Sequence, residues 1–110
     1  MLETILGNET AAKLMLYLIH YGEAYANGVA KDMGITLSQV QKQLDKFEEG
    51  GILISKKMGN IRIYKFNPKL GIVKQFIKMV EAFYEAIPLS QREEMFEVRR
   101  RPRRKGKPVL

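Results

Sequence analysis

Apolar residues recur every three or four positions through three stretches in the first half of the chain, which is the spacing of one helix face. Residues 8–22 form the first stretch, and residues 24–33 form a shorter second one. The third stretch, residues 36–50, opens with Thr36 and has Gln39 three positions later, which is the arrangement of a capping box. A glycine closes each stretch, as glycine commonly closes helices. The pattern therefore predicts three consecutive helices.

After the third helix the apolar residues come closer together, in runs typical of strands. Residues 52–57 and 61–66 are candidate strands, and the glycine-containing segment 58–60 between them is a short hairpin turn. The second strand carries apolar residues on both faces, namely Ile61, Ile63, Tyr64 and Phe66. The pattern thus predicts a β-hairpin but leaves open which of its faces is buried.

Helical spacing returns after the hairpin. Residues 72–87 form a long amphipathic run that ends at Pro88. A shorter helix over residues 90–98, with Ser90 as its N-cap, is the last element that the pattern predicts. A chain of 110 residues with 45% hydrophobic content suits a single domain with one core.

The net charge of the chain lies entirely at its C-terminal end. Residues 1–98 contain twelve basic and twelve acidic residues, and the cations beyond them account for the whole charge of +7. These cations are Arg99, Arg100, Arg101, Arg103, Arg104, Lys105 and Lys107. We expect residues 1–87 to form the domain, residues 88–98 a short helical extension, and residues 99–110 a disordered basic tail. A cationic arm on a neutral body is typical of a protein with a polyanion partner.

Three roles for the tail stay open. The segment Arg101-Pro102-Arg103 is similar to the core of an AT-hook, but the glycine beside that core is missing. An unspecific phosphate clamp needs no such detail, and we prefer it. The third role is a docking or solubility segment that makes no contact with nucleic acid.

Composition argues against several other classes of protein. No apolar run is long enough to cross a membrane, and the N-terminus lacks the features of a signal peptide. Cysteine is absent and His20 is the only histidine, so we expect no metal site and a protein of the reducing cytoplasm. The serines have no histidine nearby in sequence, and no glycine-rich loop could cradle phosphate. We therefore expect neither a cofactor nor catalysis.

The second and third predicted helices carry a spacing motif in which Ala30, Gly34 and Val40 lie at relative positions 0, 4 and 10. Ala30 is small where the next helix crosses closely, Gly34 permits a positive φ between the helices, and Val40 anchors the next helix in the core. With this motif and the hairpin after Gly51, residues 8–87 resemble winged helix-turn-helix DNA-binding proteins, and especially ArsR-type bacterial and archaeal regulators. The resemblance implies a mainly α fold with a small β-hairpin and a C-terminal dimerisation helix.

The resemblance also implies which residues meet double-stranded DNA. Residues 37–49 would be the recognition helix in the major groove, with Ser38, Gln39, Gln41, Lys42, Gln43, Asp45 and Lys46 on its outward face. Glutamine can contact adenine with two hydrogen bonds, and lysine can reach guanine or phosphate. We therefore assign base readout to Gln39, Gln41, Lys42 and Lys46, with Ser38 beside them. The hairpin would be the wing, with Lys56, Lys57, Asn60 and Arg62 near phosphates or the minor groove, and the tail arginines would add affinity.

The long helix carries more apolar residues than a small domain needs, namely Phe76, Ile77, Val80 and Phe83. The resemblance implies that this helix pairs with its two-fold mate, although packing back onto the monomer stays possible. Leu2, Ile5 and Leu6 lack other shelter in the sequence pattern and are expected to contribute to the dimer. The leading hypothesis is a homodimeric, sequence-specific transcriptional regulator. The alternative is a winged-helix protein-interaction or RNA-binding scaffold whose basic tail docks an acidic partner. The sequence indicates no effector.

Overall fold

A computed structural model of the protein describes residues 1–97, and residues 98–110 lie outside the described part of the chain. The DNA contacts expected of the tail arginines concern residues outside the described part, namely Arg99, Arg100, Arg101, Arg103 and Arg104. The described chain is mainly helical. Its helices are α1 (Leu2–Leu6), α2 (Glu9–Tyr21), α3 (Ala26–Met33), α4 (Leu37–Glu49), α5 (Gly71–Ala86) and α6 (Leu89–Arg92), followed by a π-helical turn (Glu93–Glu97). Strands β1 (Leu53–Met58) and β2 (Ile61–Phe66) lie between α4 and α5.

The helix boundaries follow the capping residues in the sequence. Asn8 caps α2, because its side chain accepts a hydrogen bond of 2.7 Å from the backbone N–H of Ala11. Thr36 caps α4 by accepting from the N–H of Gln39 at 3.4 Å. Gly34 ends α3 with a φ of 67°, in the left-handed region. The tight turn predicted between α3 and α4 is therefore confirmed, and its glycine has the backbone conformation that the spacing motif required.

The conformation of Gly34 gives a first testable prediction. Gly34→Ala is expected to lower the free energy of unfolding by about 1–2 kcal/mol, because an L side chain is strained at this φ although the space around it is open. Gly71→Ala is the matched control, since Gly71 has no positive φ and starts a helix. The control should raise the free energy of unfolding by about 0.4–1 kcal/mol. Urea titration of both variants measures the difference, and equal shifts would contradict the prediction.

The hairpin is extended by a third segment that the sequence pattern did not predict. Strands β1 and β2 pair antiparallel, with Leu53 opposite Phe66 and Ser55 opposite Tyr64. Ala24 then pairs with the other edge of β2, through hydrogen bonds of 2.9 Å and 2.7 Å between its backbone and that of Tyr64. The prediction of a helix from residue 24 is wrong at its start, because this pairing holds Ala24 extended and α3 begins at Ala26.

Helix α2 lies at the centre of the molecule and contacts α1, α3, α4 and α5. Seven of its side chains are buried, namely Ala11, Ala12, Leu14, Met15, Leu16, Tyr17 and Leu18. The buried face of α4 and of the hairpin completes the core with Val40, Leu44, Phe47, Leu53 and Tyr64. Tyr64 is 3% exposed, so the Tyr64 face of β2 is the buried one. Packing against α2 thus fixes the positions of α3, α4 and the hairpin.

The C-terminal segment of the described chain folds back onto α2. Phe96 is 1% exposed, its ring stacks on His20 with centroids 4.5 Å apart, and its carbonyl oxygen accepts from the Tyr21 hydroxyl at 3.0 Å. The predicted cap at Ser90 is wrong, because α6 already begins at Leu89, directly after Pro88, and no side chain caps it. None of the helices within residues 1–97 has the length and apolar content to cross a bilayer.

Candidate nucleic-acid interface

Helix α4 buries one face and exposes the other along its whole length. Val40, Leu44 and Phe47 face the core, as the spacing predicted. The exposed residues include Ser38, Gln39, Lys42, Asp45 and Lys46. The prediction that Gln43 lies on the outward face is wrong. Gln43 is 8% exposed, because it follows Val40 by three positions and precedes Phe47 by four, and so falls in the same buried stripe.

Gln41 is half-buried, and its amide is held by two neighbours. Its Nε2 donates to Oδ1 of Asp45 at 2.9 Å and to the hydroxyl of Tyr64 at 3.1 Å. The first bond links residues one helical turn apart, and the second joins α4 to β2. The sequence pattern placed Tyr64 only among the apolar residues of the second strand, without saying which face is buried. The alternation in β2 could indicate that its ring is buried, but no local signal could reveal a partner 23 positions away.

A second set of hydrogen bonds joins the other end of α4 to the hairpin. The Ser55 hydroxyl donates to Oε2 of Glu48 at 2.5 Å, and Nη1 of Arg62 donates to the Ser55 oxygen at 3.1 Å. Arg62 is exposed, and its bond to Ser55 holds the guanidinium beside that side chain. The other hairpin residues expected near DNA are also exposed, namely Lys56, Lys57 and Asn60.

Positive charge is concentrated in the hairpin, although residues 1–98 are neutral in sum. Residues 53–66 contain four Lys or Arg residues and no Asp or Glu. The cations are Lys56, Lys57, Arg62 and Lys65, and all four are exposed. Helix α4 beside the hairpin carries Lys42 and Lys46 but also Asp45, Glu48 and Glu49, so the excess of positive charge belongs to the hairpin. A surface of this charge favours contact with a polyanion, because bound phosphates release condensed counterions.

The start of α4, the start of α3 and the hairpin enclose a shallow cavity of about 250 Å³. Its lining residues are Tyr25, Ala26, Asn27, Leu37, Gln41, Asn60, Ile61, Arg62 and Tyr64. The fold therefore brings together Gln41, Asn60 and Arg62 from the predicted site. Lys42, Lys46 and Lys56 are exposed but do not belong to the lining. Sequence reasoning missed the contributions of Tyr25 and Asn27, because they precede or open α3 and carry no spacing signal toward the hairpin.

The residues expected at a dimer interface divide into buried and accessible ones. Leu2 is 5% exposed and packs in the core of the same chain, so the expectation that it lacks shelter is wrong. Val80 is likewise fully buried within the protomer. Ile5 is 53% exposed, and Leu6, Phe76, Ile77 and Phe83 are half-buried. Among the seven residues expected at the interface, these last five have surface that a partner could cover. Their role in a dimer stays a prediction.

No protein-family model and no curated protein sequence matches the chain. Solved structures of other proteins are similar to it. Reduced HlyU from Vibrio cholerae N16961 has a TM-score of 0.59 at 17% identity, over 76% of this chain and 84% of that one. A transcriptional regulator homologue from Pyrococcus horikoshii OT3 has a TM-score of 0.55 at 18% identity, over 78% and 90% of the two chains.

The third structure is a MarR-family transcriptional regulator from Rhodococcus sp. RHA1, with a TM-score of 0.55 at 19% identity. The similar region covers 89% of this chain and 76% of the Rhodococcus chain. At these identities the comparisons establish the fold. In this chain a helix-turn-helix precedes a two-stranded antiparallel hairpin and a further helix. The chain therefore has the winged helix-turn-helix fold of these transcriptional regulators.

Proposed function

We propose that this protein is a sequence-specific DNA-binding transcriptional regulator that acts as a homodimer in the cytoplasm. The observation that carries the proposal is the exposed polar face of α4 beside a hairpin whose charged residues are all cationic. An exposed helix of this kind fits the major groove, and the hairpin cations beside it suit the flanking phosphates. The fold shared with the regulators from Pyrococcus horikoshii and Rhodococcus supports the same function.

Each part of the surface has a proposed role. Base edges would be read from α4 by Gln39, Gln41, Lys42 and Lys46, with Ser38 at the start of the helix. Phosphates or the adjacent minor groove would be held by Lys56, Lys57, Asn60 and Arg62, and the tail arginines would add affinity. The absence of carboxylates from residues 53–66 supports the phosphate role, because the only charged side chains that the hairpin itself carries are cationic.

The proposed dimer would use α5 and α1. Ile5, Phe76, Ile77 and Phe83 have exposed or half-buried apolar surface that a second copy could cover. A two-fold dimer would place the two copies of α4 about one DNA turn apart, ~34 Å, and requires a near-palindromic binding site. The ArsR-type resemblance belongs to this same proposal.

Charge reversal on α4 tests the DNA-binding surface. Lys42→Glu is expected to weaken binding to a site selected from a random DNA library by roughly ten- to a hundredfold, because it replaces an attraction with a repulsion. Lys78→Glu is the matched control, since Lys78 is exposed on the polar face of α5. The control should change binding less than about threefold. Gel-shift titration measures both, and a library that yields no two-fold motif would refute the proposal.

One observation favours a second candidate function. Tyr25, Leu37 and Ile61 are exposed and line the cavity between α4 and the hairpin. Exposed aromatic and aliphatic side chains suit a protein partner, so the surface also fits a winged-helix interaction or RNA-binding scaffold whose basic tail docks an acidic partner. The α4 variant separates the two functions. A scaffold would show no sequence preference for DNA either before or after Lys42→Glu.

A further inference from the structure

The orientation of the Gln41 amide is determined by the chemistry of its neighbours. One end of the amide lies 2.9 Å from Oδ1 of Asp45. An ionised carboxylate only accepts hydrogen bonds, so the atom that faces Asp45 must be the amide nitrogen, Nε2. The same nitrogen lies 3.1 Å from the hydroxyl oxygen of Tyr64.

These two bonds use the whole donor capacity of Gln41. A primary amide has two N–H groups, and here one points to Asp45 and the other to Tyr64. The remaining polar atom is the oxygen, Oε1, to which no side chain within residues 1–97 donates. Gln41 is half-buried and lines the cavity beside the hairpin, so Oε1 is the part of its amide left to meet a ligand.

The hairpin residue that accepts from the amide is buried, and its backbone is paired. Tyr64 is 3% exposed, and its backbone is paired on both sides, to Ser55 of β1 and to Ala24. The pairings fix the backbone of Tyr64, and burial of its ring in the core holds the hydroxyl beside α4. The bond to the Asp45 carboxylate belongs to the stronger, charge-assisted class. Together the two neighbours keep Gln41 in one orientation.

We propose that Tyr64 is a positioning residue that restricts Gln41 to accepting a hydrogen bond, so that it selects exocyclic amino groups. In the major groove these groups are N6 of adenine and N4 of cytosine. The two-bond contact with adenine expected from glutamine alone needs a free N–H for N7, and Gln41 has none. Guanine and thymine present only acceptors at the corresponding edge and would be rejected. This inference rests on the proposed DNA-binding function.

The DNA experiment uses the full-length protein and its selected site. Gln41→Ala first identifies the base whose contribution depends on Gln41. If that base is adenine, purine in its place, which lacks the N6 amino group, should weaken wild-type binding roughly five- to tenfold, as expected for the removal of one hydrogen bond. Replacement by 7-deazaadenine, which lacks N7, should leave binding within about twofold. If the base is cytosine, removal of its N4 amino group should weaken wild-type binding by the same roughly five- to tenfold.

Variants of the two neighbours test the positioning role. Tyr64→Phe keeps the buried ring, and Asp45→Ala lies on the exposed face of α4, so both variants should fold. Each frees one N–H of Gln41, and each should therefore reduce the discrimination against guanine and thymine at that one base by about threefold or more. Tyr84→Phe is the matched control, because its hydroxyl bonds to His20 rather than to α4. It should leave the base preference unchanged.

A measurement without DNA separates this inference from the proposed function. In NMR spectra of the free protein, Tyr64→Phe and Asp45→Ala should each shift a different Gln41 Nε2 proton and speed its exchange with solvent. If neither variant does so, the bridge is absent and the inference fails whatever the protein binds. If the bridge is present but binding depends on N7, or Tyr64→Phe weakens all positions equally, the inference fails while the regulator stands. A protein that selects no DNA sequence refutes both.

Discussion

Replacement of Phe96 by alanine is expected to lower the free energy of unfolding by about 3–5 kcal/mol. Phe96 is almost fully buried and contacts the rings of Tyr17, His20, Tyr21 and Tyr84. Alanine would leave a cavity among these rings and remove their aromatic contacts. The substitution would also loosen the π-helical turn from α2, because the buried Phe96 ring contacts His20 and Tyr21 of that helix.

The matched control for this prediction is Leu89→Ala. Leu89 belongs to the same C-terminal segment, but it is 61% exposed. Its replacement should change the free energy of unfolding by less than about 0.5 kcal/mol, as is usual at the surface. Urea titration of both variants gives the two values. If Phe96→Ala costs no more than Leu89→Ala, the segment after Pro88 does not belong to the cooperative core.

Removal of residues 99–110 is expected to produce the largest change in DNA affinity. The segment holds seven cations, and each phosphate that is no longer neutralised should reduce the slope of log K against log salt concentration by ~0.9. If all seven cations bind phosphate, the slope falls by roughly six, and affinity at low salt falls by several orders of magnitude. The measurement is a binding titration between about 50 and 200 mM salt, on the selected site and on a scrambled duplex.

A charge-neutral tail is the control for that deletion. Replacement of the seven Lys and Arg residues by Gln keeps the length of the chain and removes only the charge. It should lower the slope as much as the deletion does, on both duplexes, because an unspecific clamp carries no sequence preference. An unchanged slope after deletion would assign the tail a role other than DNA binding.

The sequence predicts the fold well where local signals agree. The bounds of α4 agree with the prediction, because Thr36 caps its start and paired glycines follow its end. Strand β2 also has its predicted bounds. The mainly α fold with a β-hairpin is confirmed by both the structure and its solved neighbours.

Long-range contacts account for the errors. Ala24 is extended because it pairs with Tyr64, forty positions away, and no local pattern can signal such a pairing. The burial of Leu2 and Phe96 depends on the surface of α2 and its neighbours in three dimensions. The error for Gln43 has another cause. It was assigned to the outward face because it is polar, although its position along the helix lies in the apolar stripe. The exposure of Gln39, Lys42 and Lys46 could be read from helix periodicity, whereas the bridge from Gln41 to Tyr64 could not.

Hydrogen bonds connect α4 to the hairpin at two places along the helix. One bond joins Gln41 to Tyr64, and the other joins Glu48 to Ser55. These bonds hold the helix against the hairpin, and we expect the pair to keep its geometry when it meets a groove of different width. A duplex held by both would have to supply the adjustment itself. Base steps that bend or untwist at low energetic cost would then be preferred, even at positions that no side chain touches.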